Sequence, residues 1–372
     1  MISMPTTYIT PSSTILQPLA PPGAGASSIP KPESLAEVLT VWGLPCKSAG
    51  VDVAPQLLTY HFDLSDLLQR SRVRRFLPSL GALLHTDVKE APTDKAHFAI
   101  ALPRPVRATV PFKRSLLEGG GGIGNPLAAC LGYDTSNAPV TVDITKAPHI
   151  LIAGATGSGK SVCLNTIINS LLFKATPNKM RLLMVDTKRV ELSAYEGLPH
   201  LYAPIAKDRA AALGIITEVV RILRERAEMM EQQGFTDISQ TNYPRILLVI
   251  DELADLMLMC KEEVEPLLVT IAQLGRAAGI HLIVATQRPT VDVVTGLLKA
   301  NLPCRIALQT ASLRDSMTIL DHKGAEMLTG RGDALLKTPD KVHETRLQVA
   351  YIERTDINAV VGWWKTEGVQ VA

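Results

Sequence analysis

The sequence predicts an α/β fold with a mostly parallel central sheet, preceded by a small α+β domain. Three observations lead there. Five short apolar runs recur from His149 onward, "HILIAG", "RLLMVDT", "RILLVIDE", "HLIVATQ" and "CRIALQT". They lack the polar alternation of half-solvated strands and read as strands buried on both faces. Segments long enough for crossover helices, such as 208–233 and 261–278, separate several of them. Finally, a glycine-rich turn joins the first run to a helical stretch in "HILIAGATGSGKSVCLNTIINSLL", and ligands of such sheets sit at the carboxyl ends of the strands.

Along the chain, residues 1–32 are rich in Pro, Ser, Thr, Gly and Ala and carry one charged side chain, Lys31. That composition predicts a disordered linker or tail, because it offers little apolar surface to offset the ordering entropy. Residues 33–118 read as the small α+β domain. "SLAEVLTVWG" and "SDLLQRSRVRRFLPSLGALL" have helical spacing, the second with Ser65 available as an N-cap, while "LLTYHFDL" and "AHFAIALP" read as strands. The glycine-rich stretch 119–126 follows a helical stretch and not the strand that precedes a dinucleotide loop, and it reads as a hinge. Residues 127–355 form the expected α/β domain, and 356–372 a terminal helix or tail.

Bulk properties narrow the function. A chain of 372 residues with 46% apolar content can fill two or three domains. A formal charge of +2 means that any polyanion must meet a local basic patch. The five cysteines are scattered without a CxxC, and the eight histidines do not gather at metal-ligand spacing, so reduced thiols in a cytoplasmic protein are expected. No apolar run approaches the ~20 residues of a membrane span, and no signal pattern opens the chain.

The turn Gly154-Ala155-Thr156-Gly157-Ser158-Gly159-Lys160-Ser161, running on into Val162, fits GxxxxGK[ST]. Its glycines let backbone N–H groups converge on phosphate oxygens, Lys160 reaches the β- and γ-phosphates, and Ser161 offers its hydroxyl to Mg²⁺. The helix beginning there adds its positive dipole end. ATP and Mg²⁺ are the expected cofactors of such a P-loop NTPase. In "ILLVIDELADLM" an apolar run ends in Asp251, which would hold Mg²⁺ through water, and Glu252, which would polarise the attacking water. Helix capping by the Asp is the alternative. Thr286 and Gln287 end the next run, making Gln287 a candidate to position that water, although any strand can end in a polar residue.

The segments "VDTKRVELSAYEGLPHL" (185–201), "VIDELADLM", "GRAAGIHLIVATQRPTVDVVTGLLKANLPCRIAL" (275–308) and "TILDHKGAEMLTGRGDALL" (318–336) closely resemble the motor domain of the FtsK/SpoIIIE family of double-stranded DNA translocases. The resemblance is dense from His149 to Ile352 and weaker from Lys31 to Glu118. It implies a RecA-like motor that assembles as a homo-oligomer, a hexameric ring around duplex DNA, with ATP bound between subunits. It assigns Arg276 to the arginine lent to a neighbour's nucleotide, with Arg288 second and a surface arginine as the alternative. Lys299 corresponds to a family lysine in a DNA-facing loop. Lys188 and Arg189 could touch phosphate or DNA, and each of these cations could equally be a solvated charge.

The chain departs from the family in "ASLRDSMTILD". Leu313 and Met317 stand where relatives carry a lysine and an arginine, and Arg314, a DNA-contact candidate, stands where they carry an apolar residue. The four arginines of "RSRVRR" (70–75) read as a DNA collar or as a solvated face. The family's winged-helix and membrane-spanning parts do not appear in the sequence. The expectation is a separately recruited motor, pumping DNA in segregation, transfer or packaging, with its direction set by a partner. The alternatives are an ATPase engaging protein substrates, as in type VII secretion, and a RecA-like helicase.

Overall fold

All five apolar runs become strands of one nine-stranded sheet. In the computed structural model, which describes residues 7–17, 30–55, 57–91, 96–104, 108–119 and 125–370, the strands Cys304–Leu308, His149–Ala153, Ile280–Thr286, Arg245–Ile250 and Met180–Val185 lie side by side in that order, every pair parallel. Every residue of His149–Ala153, Ile280–Thr286 and Cys304–Leu308 is buried, which explains the missing alternation. Strands Asp333–Lys337 and Thr345–Val349 extend the sheet antiparallel from Cys304–Leu308, and Ala128–Asp134 and Pro139–Asp143 complete it.

Alternate residues of the central strand feed two cores. Ile150 and Ile152 pack with helices Lys160–Leu172 and Arg354–Thr366; Leu151 and Ala153 pack with helices Arg209–Gln233 and Leu253–Leu274. The first expected crossover begins at its N-cap Asp208, whose side chain accepts from Ala211 N. The second begins earlier than 261, because the helix starts directly after Glu252 and is interrupted by non-helical φ/ψ at Cys260.

The chain separates into two units, one of residues 1–19, 111–132 and 140–372, the other of 20–110 with 133–139. The smaller unit is a four-stranded antiparallel sheet, ordered Cys46–Val53, Leu57–Leu64, Phe98–Pro103, Lys89–Ala91. Helices Pro32–Val41 and Val73–Leu84 share its core. Asp66, not Ser65, provides the cap, accepting from Leu68 N at 2.9 Å and opening a 3₁₀ turn, Leu67–Arg72, ahead of the helix. Arg70, Arg72, Arg74 and Arg75 are exposed, and Arg74 donates to Glu90 at 2.6 Å.

Three segments differ from the boundaries expected from composition. Within the expected disordered linker, Thr7–Tyr8 pairs antiparallel with Val369–Gln370, Leu16 is buried, and Gln17 N donates to Asp356 Oδ1 at 2.8 Å. A few apolar residues suffice for this, and a composition average conceals them. Residues 1–6 and 18–29 of that stretch, and 120–124 of the expected hinge, lie outside the described residues. Helix Phe112–Glu118 belongs to the larger unit. At the far end, residues 356–372 contain no loose tail among the described positions: Trp364 is fully buried and its Nε1 donates to Leu172 O at 3.1 Å.

Candidate nucleotide-hydrolysis site

The phosphate turn leaves the carboxyl end of His149–Ala153, between two parallel neighbours. Both neighbours hold it: Gly154 N donates to Thr286 O at 3.3 Å and Ala155 N to Gln309 O at 2.8 Å. Gly159 has φ +106°, and a Cβ there would stand 2.6 Å from Gly332 N. Only glycine allows that approach. The approach has a purpose, since Gly332 N donates to Ser158 O at 2.7 Å, fixing the turn from the far side. Helix Lys160–Leu172 then starts with its N-terminus at the turn.

Lys160 is 3% exposed and donates to Asp251 O at 2.7 Å and Asp251 Oδ1 at 2.8 Å. Two charges this deep cost several kcal/mol each to desolvate, so the pair is a holding arrangement for charges that a ligand will engage. Burial raises the Asp251 carboxyl pKa, Lys160 opposes the rise, and the carboxylates of Glu191 and Asp186 add to it. Glu252, also buried, accepts from Thr286 Oγ1 at 2.7 Å, from Gln287 N at 3.1 and 3.2 Å, and from Lys188 Nζ at 3.1 Å. Partial burial disfavours the Lys188 charge, yet Glu252, Asp255 and Asp251 hold its pKa above the ordinary value. Gln287 Oε1 accepts from Thr156 Oγ1 at 2.8 Å, which sets the amide against the phosphate turn.

Thus Lys160, Ser161, Asp251, Glu252 and Gln287 converge with the turn from Gly154 to Val162. Lys188 joins them through Glu252. Arg189 is exposed beside it with φ 61°. The remaining candidates lie apart. Arg276 is exposed before the amino end of strand Ile280–Thr286, and Arg288 is exposed just past its carboxyl end. Lys299 donates to Asp321 Oδ1 at 2.8 Å, and Arg305 binds the other oxygen at 2.6 Å. Burial pushes the Asp321 pKa up, but these hydrogen bonds and charges outweigh it and bring it to about 2. Arg314 is exposed on helix Leu313–Leu320, as are Leu313 and Met317.

Two site residues escaped the sequence reading. Glu191 Oε1 accepts from Ser161 Oγ at 2.6 Å, and buried Asp186 holds Leu192 N at 2.9 Å. A signal existed for the second, because "RLLMVDT" ends in a carboxylate as "RILLVIDE" does. No group of three or more His, Cys, Asp or Glu able to hold a metal occurs among the described residues. The hard oxygen donors Ser161 and Asp251 nevertheless suit Mg²⁺, which takes most of its ligands from water and substrate phosphate.

The FtsK/SpoIIIE family model matches residues 125–243 and 239–291. DNA translocase FtsK of Clostridium acetobutylicum is 38% identical over 91% of this chain and 46% of its own length. DNA translocase SftA of Bacillus subtilis is 47% identical over 64% of this chain and 26% of its own length. The chain belongs to the FtsK/SpoIIIE family. It spans about half or less of the length of these relatives. Among solved structures, the pCW3 conjugation coupling protein TcpA, a monomer form with ATPγS, shares the fold with a TM-score of 0.63 at 24% identity, over 89% of this chain and 98% of that one. The cytoplasmic domain of the Thermomonospora curvata type VII secretion ATPase EccC gives a TM-score of 0.58 at 27% identity, over 66% of this chain and 32% of that one. The formed phosphate turn, Lys160 and two strand-end carboxylates lie together in one place, the arrangement expected of a nucleotide-hydrolysis site. No helix among the described residues is long and apolar enough to cross a membrane.

Proposed function

We propose that the chain is the motor of an ATP-driven duplex-DNA translocase that works as a ring of identical subunits. The observation that carries this reading is the extent of the likeness: 37% identity over 96% of this chain to the DNA translocase FtsK of Caldanaerobacter subterraneus. In the hydrolysis step, backbone N–H groups of the turn bind phosphate oxygens and Lys160 exchanges Asp251 for the β- and γ-phosphates. Glu252 accepts the proton of the attacking water, which Gln287 orients. Mg²⁺, held by Ser161 and through water by Asp251, would neutralise phosphate charge.

The placement of Arg276 supports the ring. It precedes a strand of seven residues whose carboxyl end, Thr286, touches Glu252, and seven residues of strand span about 20 Å. Its own nucleotide is out of reach, so any γ-phosphate role of Arg276 is played on a neighbouring copy. On the DNA side, exposed Arg189 and Arg314 are available as they stand. Lys299 and Lys188 would trade carboxylate partners for DNA phosphate, a contact that carries little sequence information.

The test is ATP turnover with and without linear duplex DNA, together with mixing of variants. DNA is expected to stimulate turnover many-fold. Lys160→Ala and Arg276→Ala, each inactive alone, are expected to regain activity when mixed, because some interfaces then combine an intact Lys160 with a neighbour's intact Arg276. Turnover indifferent to DNA, or no recovery on mixing, refutes the translocating ring. The EccC likeness at 27% identity favours a second reading, an ATPase engaging protein substrates. Stimulation by a substrate peptide but not by DNA would select it.

A further inference from the structure

The P-loop helix carries a polar stripe of which catalysis as described above uses Ser161 alone. Ser161, Asn165 and Asn169 recur every four residues and therefore share one helix face. The segment 191–195 is fastened along that face. Glu191 Oε1 accepts from Ser161 Oγ at 2.6 Å, Tyr195 Oη donates to Asn165 Oδ1 at 2.6 Å, and Asn169 Nδ2 donates to Tyr195 Oη at 2.7 Å. Asn165, Asn169 and Tyr195 are all buried. The same segment is tied at its start, where Leu192 N donates to Asp186 Oδ2 at 2.9 Å and Arg189 N to Asp186 O at 3.1 Å. Glu191 is thus held on both sides by groups fixed to the sheet and to the P-loop helix.

A serine hydroxyl has one O–H to give and two lone pairs. With its O–H committed to Glu191, Ser161 presents lone pairs alone to the rest of the site, which is what a cation requires of it. The carboxylate also makes the hydroxyl oxygen a better donor to a metal, as outer carboxylates do for metal ligands generally. A second observation points the same way. Asp186 is 1% exposed, and its Oδ1 has no hydrogen-bond partner among the described residues. Asp186, Glu191 and Asp251 together outnumber the single Lys160 ammonium that Asp251 holds, an excess of negative charge that a divalent cation with its waters would relieve.

We infer that Glu191 is a positioning residue for the nucleotide's Mg²⁺, acting through the hydroxyl of Ser161. The inference rests on Ser161 being a Mg²⁺ ligand. The test uses the full chain and a fluorescent ADP analogue, titrated with Mg²⁺ and separately measured in EDTA. In Glu191→Ala the Mg²⁺ concentration giving half-maximal tightening is expected to rise by about 10- to 100-fold, while affinity for the metal-free nucleotide stays within about twofold. Glu191→Gln keeps an oxygen acceptor for Ser161 but loses the charge, so its rise is smaller. In a Ser161→Ala background, Glu191→Ala adds little further loss, because its route to the metal is already cut.

An unchanged Mg²⁺ requirement in both variants overturns the inference. So does an equal loss of affinity with and without metal, which would mark Glu191 as a support of the fold. A wild-type protein whose nucleotide affinity ignores Mg²⁺ would overturn the Ser161 ligand assignment as well, and that result is distinct from either variant outcome.

Discussion

The two ends of the parallel strands bury titratable groups in different ways. At the carboxyl ends Lys160 is paired with Asp251, and buried Glu252 with the exposed Lys188. At the amino ends two buried histidines are kept neutral, while buried Arg305 keeps its charge against Asp321. Burial takes His149 down to about 4 and His281 to about 3. His149 Nδ1 accepts from Leu282 N at 3.2 Å. A fold gains little from burying ion pairs. The carboxyl-end pair therefore keeps its charges at a cost, whereas the two histidines avoid that cost by staying neutral.

The sharpest way to break this contrast is Lys160→Ala. Turnover is expected to fall by about 10²–10³-fold or more, and the buried Asp251 left without its partner is expected to cost about 3 kcal/mol of stability. Nucleotide hydrolysis and denaturant unfolding check the two parts separately. Unchanged stability would mean that the carboxyl-end charges are not a coupled pair. Next in size, Glu252→Gln is expected to lower hydrolysis by about 10²–10⁴-fold while nucleotide still binds. If turnover persists, Glu252 is not the base, and its partners Thr286, Gln287 and Lys188 serve only to hold it.

The amino ends respond to pH. Unfolded histidine titrates near 6.5, well above the folded values, so the unfolded chain binds more protons as pH falls below about 6.5. Stability contributed by the neutral histidines is complete above that pH and is lost on acidification. Each is expected to remove up to about 2 kcal/mol between pH 6.5 and 5. Thermal unfolding of His281→Leu should show a shallower acid slope than the natural protein; an identical slope would locate the proton uptake elsewhere. The smallest effect belongs to Lys299→Ala. Asp321 is half exposed and keeps Arg305, so the unfolding free energy should change by less than about 1 kcal/mol.

Much of the fold was legible because the pattern is strong. Five unbroken apolar runs became the five parallel strands, and the glycine spacing located the turn and Lys160. The antiparallel strands Asp333–Lys337 and Thr345–Val349 were less legible, since each is short and mixes buried with half-buried positions. The order of residues 7–17 was hidden for a different reason. Their pairing partners, Val369–Gln370 and Asp356, lie at the other end of the chain, and no local window contains both. Glu191 was missed because a lone glutamate in a loop resembles any solvated charge until its partner, 30 residues away, is in view.

By itself the sequence determined the layered α/β architecture, the phosphate turn and the strand-end carboxylates Asp251 and Glu252. These rest on periodicity and on backbone conformations that only certain residues permit, and both are local. Tertiary structure alone decided that Lys188 and Glu191 reach the hydrolysis site, that Lys299 is engaged by Asp321, and that Arg276 lies at the far end of the sheet from its own phosphate turn. Such facts depend on which strand ends lie side by side, an arrangement set by burial over the whole sheet and not by any neighbouring run of residues.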